Sequence, residues 1–120
     1  MYNMSQGIMN LNRAVALERV GGDEELLREI AGLFLEDYPS LITKIEQAVA
    51  SSDALNLERA AHSLKGSIAN FGSDTAYQAS LDLEQIARSK DLTNMHQAHA
   101  HLVEVMTQVC PELEALSKGD

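Results

Sequence analysis

Tryptophan is absent from this 120-residue chain, cysteine occurs once, and proline and phenylalanine occur twice each. A lone thiol, Cys110, cannot close an internal disulfide, and no CxxC pair offers a zinc or redox site. It reads as a small residue flanking a core in a reducing compartment. No apolar run approaches the roughly 20 residues that a membrane span requires. The opening Met-Tyr-Asn-Met-Ser-Gln-Gly lacks the charged-then-apolar order of a signal peptide. The expected compartment is the cytoplasm. Basic residues are scarce too, with nine Lys and Arg against eighteen Asp and Glu and a formal charge of −9. Nucleic acid and anionic membrane both demand clustered cations, so neither is an expected partner. The phosphate-binding patterns GxxxxGK[ST] and GxGxxG are missing, which argues against ATP as a direct substrate.

What the chain does have is helix-forming material. Apolar residues make up 45% of it, and Leu, Ala, Glu, Gln and Met dominate over β-branched and aromatic strand formers. The length suits one hydrophobic core, so residues 1–120 are expected to form a single domain, with 1–10 as a flexible N-terminal segment. Apolar spacing predicts a short helix from Asn12 to Val20, stopped by Gly21-Gly22. Asp23 then reads as an N-cap, with Glu24 and Glu25 where the helix dipole favours negative charge. The second helix carries Leu27, Ile30, Phe34, Leu41, Ile45 and Ala48 on one stripe, and Pro39 is expected to interrupt or kink it. Ser51-Ser52-Asp53 marks the next boundary. A third helix follows from Ala54 to Phe71, ended by Gly72, and a fourth from Ser73-Asp74 to Ser89 with Ala76, Ala79, Leu83 and Ile86 inward; Leu81 falls off that stripe. The last helix carries Met95, Ala98, Leu102, Val105, Val109, Leu113 and Leu116, with a bend expected at Pro111. Long amphipathic helices with short polar connections predict an all-α fold, an antiparallel up-down-up-down four-helix bundle with a short additional N-terminal helix.

The third helix holds the chemistry. At about 100° per residue, Leu57, Ala61, Leu64, Ile68 and Phe71 form one tight stripe, and His62 points roughly 140° away from its centre. The ring should face water. Lys65 shares that side of the helix, and Gly66 lies one turn beyond the histidine. Glycine on an exposed helical turn is unfavourable by about 0.5–1 kcal/mol relative to alanine, which suggests that another surface must come close there. Leu55 and Ala69 project on the same side. A neutral imidazole carries a lone pair and is a competent nucleophile toward phosphorus. A neighbouring cation stabilises the charge that spreads over the phosphoryl oxygens in the transition state.

The run Ala61-His62-Ser63-Leu64-Lys65-Gly66-Ser67, followed by Gly72, resembles the signature of histidine-containing phosphotransfer (HPt) domains. Gly21-Gly22-Asp23, Phe34, Leu83-Glu84 and Ala87-Arg88 extend the likeness over most of the chain. The resemblance implies a phosphoryl carrier of two-component phosphorelays in which His62 takes a phosphoryl group from the aspartyl phosphate of a response-regulator receiver domain and passes it to another receiver, reversibly. It implies Lys65 as the stabilising cation, Gly66 as the small residue that admits the receiver, and Leu55, Arg59, Ala69 and Arg88 as docking surface. Some members place a Gln near the histidine where this chain has Glu84, so Glu84, Gln85 and Gln78 are the candidates for orienting the ring. The chain itself is expected to bind no cofactor; Mg²⁺ is expected on the partner receiver, which includes that of a hybrid sensor histidine kinase. A monomer is expected.

Other readings fit less well. Sensor-kinase dimerisation domains resemble a His-Glu followed by a nearby Pro, whereas His62 precedes Ser-Leu-Lys-Gly. His96, His99 and His101 invite a metal site, yet His99 and His101 differ by about 200° at helical pitch and cannot converge on one ion from a straight helix. HExxH and the Glu-x-x-His of di-iron bundles are absent. The alternative of a non-catalytic helical scaffold or receiver-binding bundle leaves the pairing of Lys65 and Gly66 beside His62 unexplained.

Overall fold

Short polar side chains start four of the five α-helices among the described residues. The computed structural model describes residues 11–119. The flexible segment expected at 1–10 lies outside them. Asn12 accepts a hydrogen bond from Val15 N–H and opens α1 (Arg13–Arg19), and Asp23 accepts from Leu26 N–H and opens α2 (Glu24–Ser51). Asp53 does the same for α3 (Ala54–Ile68) and Ser73 for α4 (Asp74–Ser89). Each such cap stabilises its helix by about 1 kcal/mol. The fifth helix, α5 (Met95–Ser117), follows Asn94, which makes no side-chain cap hydrogen bond. No strand occurs among the described residues.

The stops are equally local. The third helix was expected to reach Phe71, and it does so by tightening into a 3₁₀ turn over Ala69–Phe71. Gly72 then takes φ +67°, where a Cβ would stand 2.9 Å from Asn12 Cβ and 3.0 Å from the Asn12 carbonyl oxygen. Only glycine fits both the left-handed backbone and that close approach. The Asn12 N–H donates to the Phe71 carbonyl at 3.2 Å, so α1 is pinned to the α3–α4 turn.

Helices α2, α3, α4 and α5 form a closed ring of neighbours, each packing mainly against the two beside it. The predicted stripes fill the interior: Leu27, Phe34, Ile45, Leu57, Leu64, Ile68, Leu83, Leu102, Val109 and Leu113 are all buried. Phe34 packs edge-on against Phe71 with ring centroids 5.7 Å apart, a favoured aromatic geometry. Ile86, expected inside, is only half-buried, and Glu84 occupies the buried arc of α4.

Neither proline ends its helix. Residues 24–51 and 95–117 are each one continuous helix, with Pro39 and Pro111 inside. An internal proline costs about 3 kcal/mol through its lost hydrogen bond and the clash of its ring with the preceding turn. Buried side chains on both flanks of each proline outweigh it: Phe34 and Ile45 around Pro39, Val109 and Leu113 around Pro111. No helix among the described residues is long and apolar enough to cross a membrane.

Candidate functional site

His62 follows Ala61 on α3; Ala61 is fully buried, while the imidazole side chain is 65% exposed. The helical phase that sends Leu57, Ala61 and Leu64 into the core therefore turns the ring outward. It is not free, however. His62 Nδ1 lies 2.9 Å from Oε2 of Glu84, a carboxylate on α4 that is only 1% exposed.

A carboxylate this deep must be compensated. Lys65 Nζ stands 2.8 Å from Oε1, and Arg88 Nη2 donates to Oε2 at 2.8 Å. Burial pushes the Glu84 carboxyl up, but contact with the Lys65 ammonium, and then with the His62 ring, outweighs it and leaves the pKa below the ordinary carboxylate value. Glu84 is thus ionised at neutral pH. An ionised carboxylate only accepts hydrogen bonds, so Nδ1 must carry the imidazole proton and donate it. In the neutral imidazole the lone pair is then on Nε2, on the exposed ring.

Two further groups close the network. Arg88 Nε donates to Oε2 of Glu58 at 2.9 Å, so one guanidinium bridges Glu58 and Glu84. His62 and Glu84 lie at equal sequence distances on either side of Ser73, and so do Glu58 and Arg88. Contacts that pair in this way require α3 and α4 to run in opposite directions from a tight turn. Glu58 was not anticipated from the sequence; that symmetry about the turn is the signal that would have found it.

Lys65 was expected on the exposed side with His62. Its side chain is mostly covered, 18% exposed, because it reaches across to Glu84 and lies 6.0 Å from the centroid of the Tyr77 ring. Gly66 is exposed and helical, and a Cβ built there would meet nothing within 4 Å. Neither backbone conformation nor packing inside the chain demands glycine at that position. Leu55, Arg59 and Arg88 are exposed and line, with Glu58, Ser63 and Glu84, a pocket of about 460 Å³ beside His62. Ala69 is half-buried in the 3₁₀ turn.

The other candidates for orienting the ring are elsewhere. Gln78 donates to Asp82 on an exposed face of α4 at 2.8 Å. Gln85 lines a separate groove with Ile86 and His101, facing α5. Among the described residues no three His, Cys, Asp or Glu side chains converge as a metal site. Cys110 is half-buried, and burial followed by the Glu114 charge pushes its thiol up, away from reactivity.

The profile of the Hpt domain family matches residues 29–118. The crystal structure of histidine-containing phosphotransfer protein B from Pseudomonas aeruginosa PAO1 superposes with a TM-score of 0.83 at 20% identity, covering 92% of this chain and 96% of that one. At that identity the likeness shows a shared helical-bundle fold. A search of curated proteins finds no match. With three quarters of its length matched by the family profile, this chain belongs to the Hpt domain family, the phosphotransfer carriers that work with receiver domains in two-component phosphorelays.

Proposed function

We propose that His62 is the phosphoacceptor of this carrier and that Nε2 is the attacking atom. One observation carries the reading: an exposed imidazole is tied through Nδ1 to a buried, ionised carboxylate. That hydrogen bond selects the tautomer with the lone pair directed to solvent.

In the proposed reaction a receiver docks over the face formed by Leu55, Arg59, Gly66, Ala69 and Arg88. Nε2 attacks the phosphorus of the receiver's aspartyl phosphate in line. The Nε2–P bond forms as the P–O bond breaks, and the aspartate carboxylate leaves with the bonding electrons. The ring keeps its Nδ1 proton and becomes cationic, facing Glu84, which stabilises it much as a buried aspartate stabilises an imidazolium in hydrolase triads. A cationic imidazole is also a good leaving group, so the same pathway run backwards delivers the phosphoryl group to a second receiver. Lys65 offsets charge on the phosphoryl oxygens, a role its ammonium can combine with the Glu84 contact because it has three donors.

Glu84 and Glu58 are both paired with cations at the site, which supports leaving magnesium to the partner. The Mg²⁺ of the transfer belongs to the receiver, one of those receivers being that of a hybrid sensor histidine kinase. Short connections between successive long helices support the up-down-up-down arrangement for the bundle, acting as a monomer in the cytoplasm.

The test is transfer from a phosphorylated receiver carrying radioactive label. Wild-type chain should acquire label that is acid-labile and base-stable, as a phosphoramidate is, and H62Q should acquire none. Label of the same kind on H62Q would overturn the assignment.

A further inference from the structure

Glu58 has no part in the reaction as proposed, yet it ends an unbroken line of contacts to the reacting ring. From Glu58 Oε2 the line passes to Arg88 Nε at 2.9 Å, from Arg88 Nη2 to Glu84 Oε2 at 2.8 Å, and from that same oxygen to His62 Nδ1 at 2.9 Å. Glu58 stands one helical turn before His62 on α3, and Arg88 one turn after Glu84 on α4. The four side chains therefore form a chain of three contacts across two helices. We infer that Glu58 is a positioning residue for the phosphotransfer histidine, acting through the two-pronged guanidinium of Arg88 to fix which way the Glu84 carboxylate presents Oε2 to the ring. This inference rests on His62 being the acceptor.

The physical case begins with what Oε2 must do. It takes hydrogen bonds from both the ring and the guanidinium, so its direction is set by whichever donor is more firmly held. Arg88 is 60% exposed and would sample many rotamers if only one of its nitrogens were engaged. Engaging Nε on Glu58 fixes the plane of the guanidinium and so aims Nη2, a use of the planar fork that lysine cannot reproduce. Charge is balanced as well. The charged groups around the ring are Glu58, Arg59 and Lys65 on α3 and Glu84 and Arg88 on α4. Tyr77 of α4 stands beyond Lys65, and Lys44 of α2 lies across the neighbouring groove beside Ser63. Within this set the anions Glu58 and Glu84 are matched by Arg88 and Lys65. If Arg88 swung away, Glu84 would bear on the imidazole with less of its charge neutralised, which favours the protonated, non-nucleophilic ring.

The experiment uses the whole chain with ¹⁵N-labelled histidine. The ring nitrogens of His62 are followed through their titration in wild type, E58A, E58Q and R88K, alongside the rate of phosphoryl transfer from a phosphorylated receiver as a function of pH. E58A should raise the population of the other tautomer, move the acid limb of the rate profile to higher pH, and slow transfer at neutral pH by roughly three- to fivefold, the size an exposed ion pair supports. E58Q, which keeps an acceptor for Nε, should recover most of that loss, and R88K should not restore wild-type ring shifts. Wild-type ring shifts and pH profile in E58A would overturn the inference. So would wild-type behaviour of R88K, since a point charge would then suffice. The ring shifts are read without any transfer, so failure here is distinct from failure of His62 as acceptor, which H62Q reports.

Discussion

The Nδ1 of His62 and the Oε2 of Glu84 are 2.9 Å apart, although one side chain is the exposed centre of the site and the other is sealed in the bundle. In the proposed reaction that contact decides which imidazole nitrogen attacks, and it makes Glu84 the group to alter first.

Replacing Glu84 by Gln retains an acceptor for the Nδ1 proton but removes the charge that faces the cationic ring. Transfer from a phosphorylated receiver should slow about tenfold, equivalent to about 1.4 kcal/mol in the barrier. Quenched-flow measurement of label transfer gives the answer. A rate equal to wild type would show that the carboxylate's charge is irrelevant to the step.

Acid should destabilise the fold partly through the same residue. The Glu84 carboxyl titrates below its ordinary value in the folded chain, because Lys65 and His62 outweigh its burial. Its contribution is therefore fully present above the ordinary carboxylate pKa and is lost as pH falls through the lower folded value. Urea midpoints measured down the acid range should fall more steeply for wild type than for E84Q. Parallel curves would contradict this.

Substitution of Gly66 should separate folding from the proposed docking. Alanine there meets no neighbour within 4 Å and should raise stability by about 0.5–1 kcal/mol through helix propensity. The same methyl group should weaken receiver binding, and leucine should weaken it further. Denaturation of the isolated chain and calorimetric titration with a receiver measure the two effects independently.

Gly72 should behave in the opposite way. Alanine at φ +67° is strained and runs into Asn12, so G72A should lose about 1–3 kcal/mol of stability. Thermal unfolding would register the loss. Unchanged stability would mean that α1 and the α3–α4 turn can separate without penalty.

Much of this was legible from spacing alone. The phase of Leu57, Ala61, Leu64 and Ile68 places His62 outward, and Asp23, Asp53, Ser73 and Gly72 mark the boundaries where their side chains or backbone act. These are local effects, set within a turn or two of each residue. What spacing left open depends on register between helices. Glu84 was one candidate among three for orienting the ring, and only the juxtaposition of α3 and α4 brings it to Nδ1 while leaving Gln78 on Asp82 and Gln85 toward α5. The covering of Lys65 and the bridge from Glu58 to Arg88 have the same origin. Pro39 does not interrupt its helix for a related reason, since a local breaking tendency yields to side chains buried on either side of it.

The turn at Gly72 and Ser73 has one more implication. Glu58, His62, Lys65, Glu84 and Arg88 all come from the two arms that this turn joins. The proposed reactive unit is thus a single hairpin carried by the remaining helices. Substitutions on the outer faces of α1, α2 and α5, which contribute none of these side chains, should leave the proposed transfer chemistry intact.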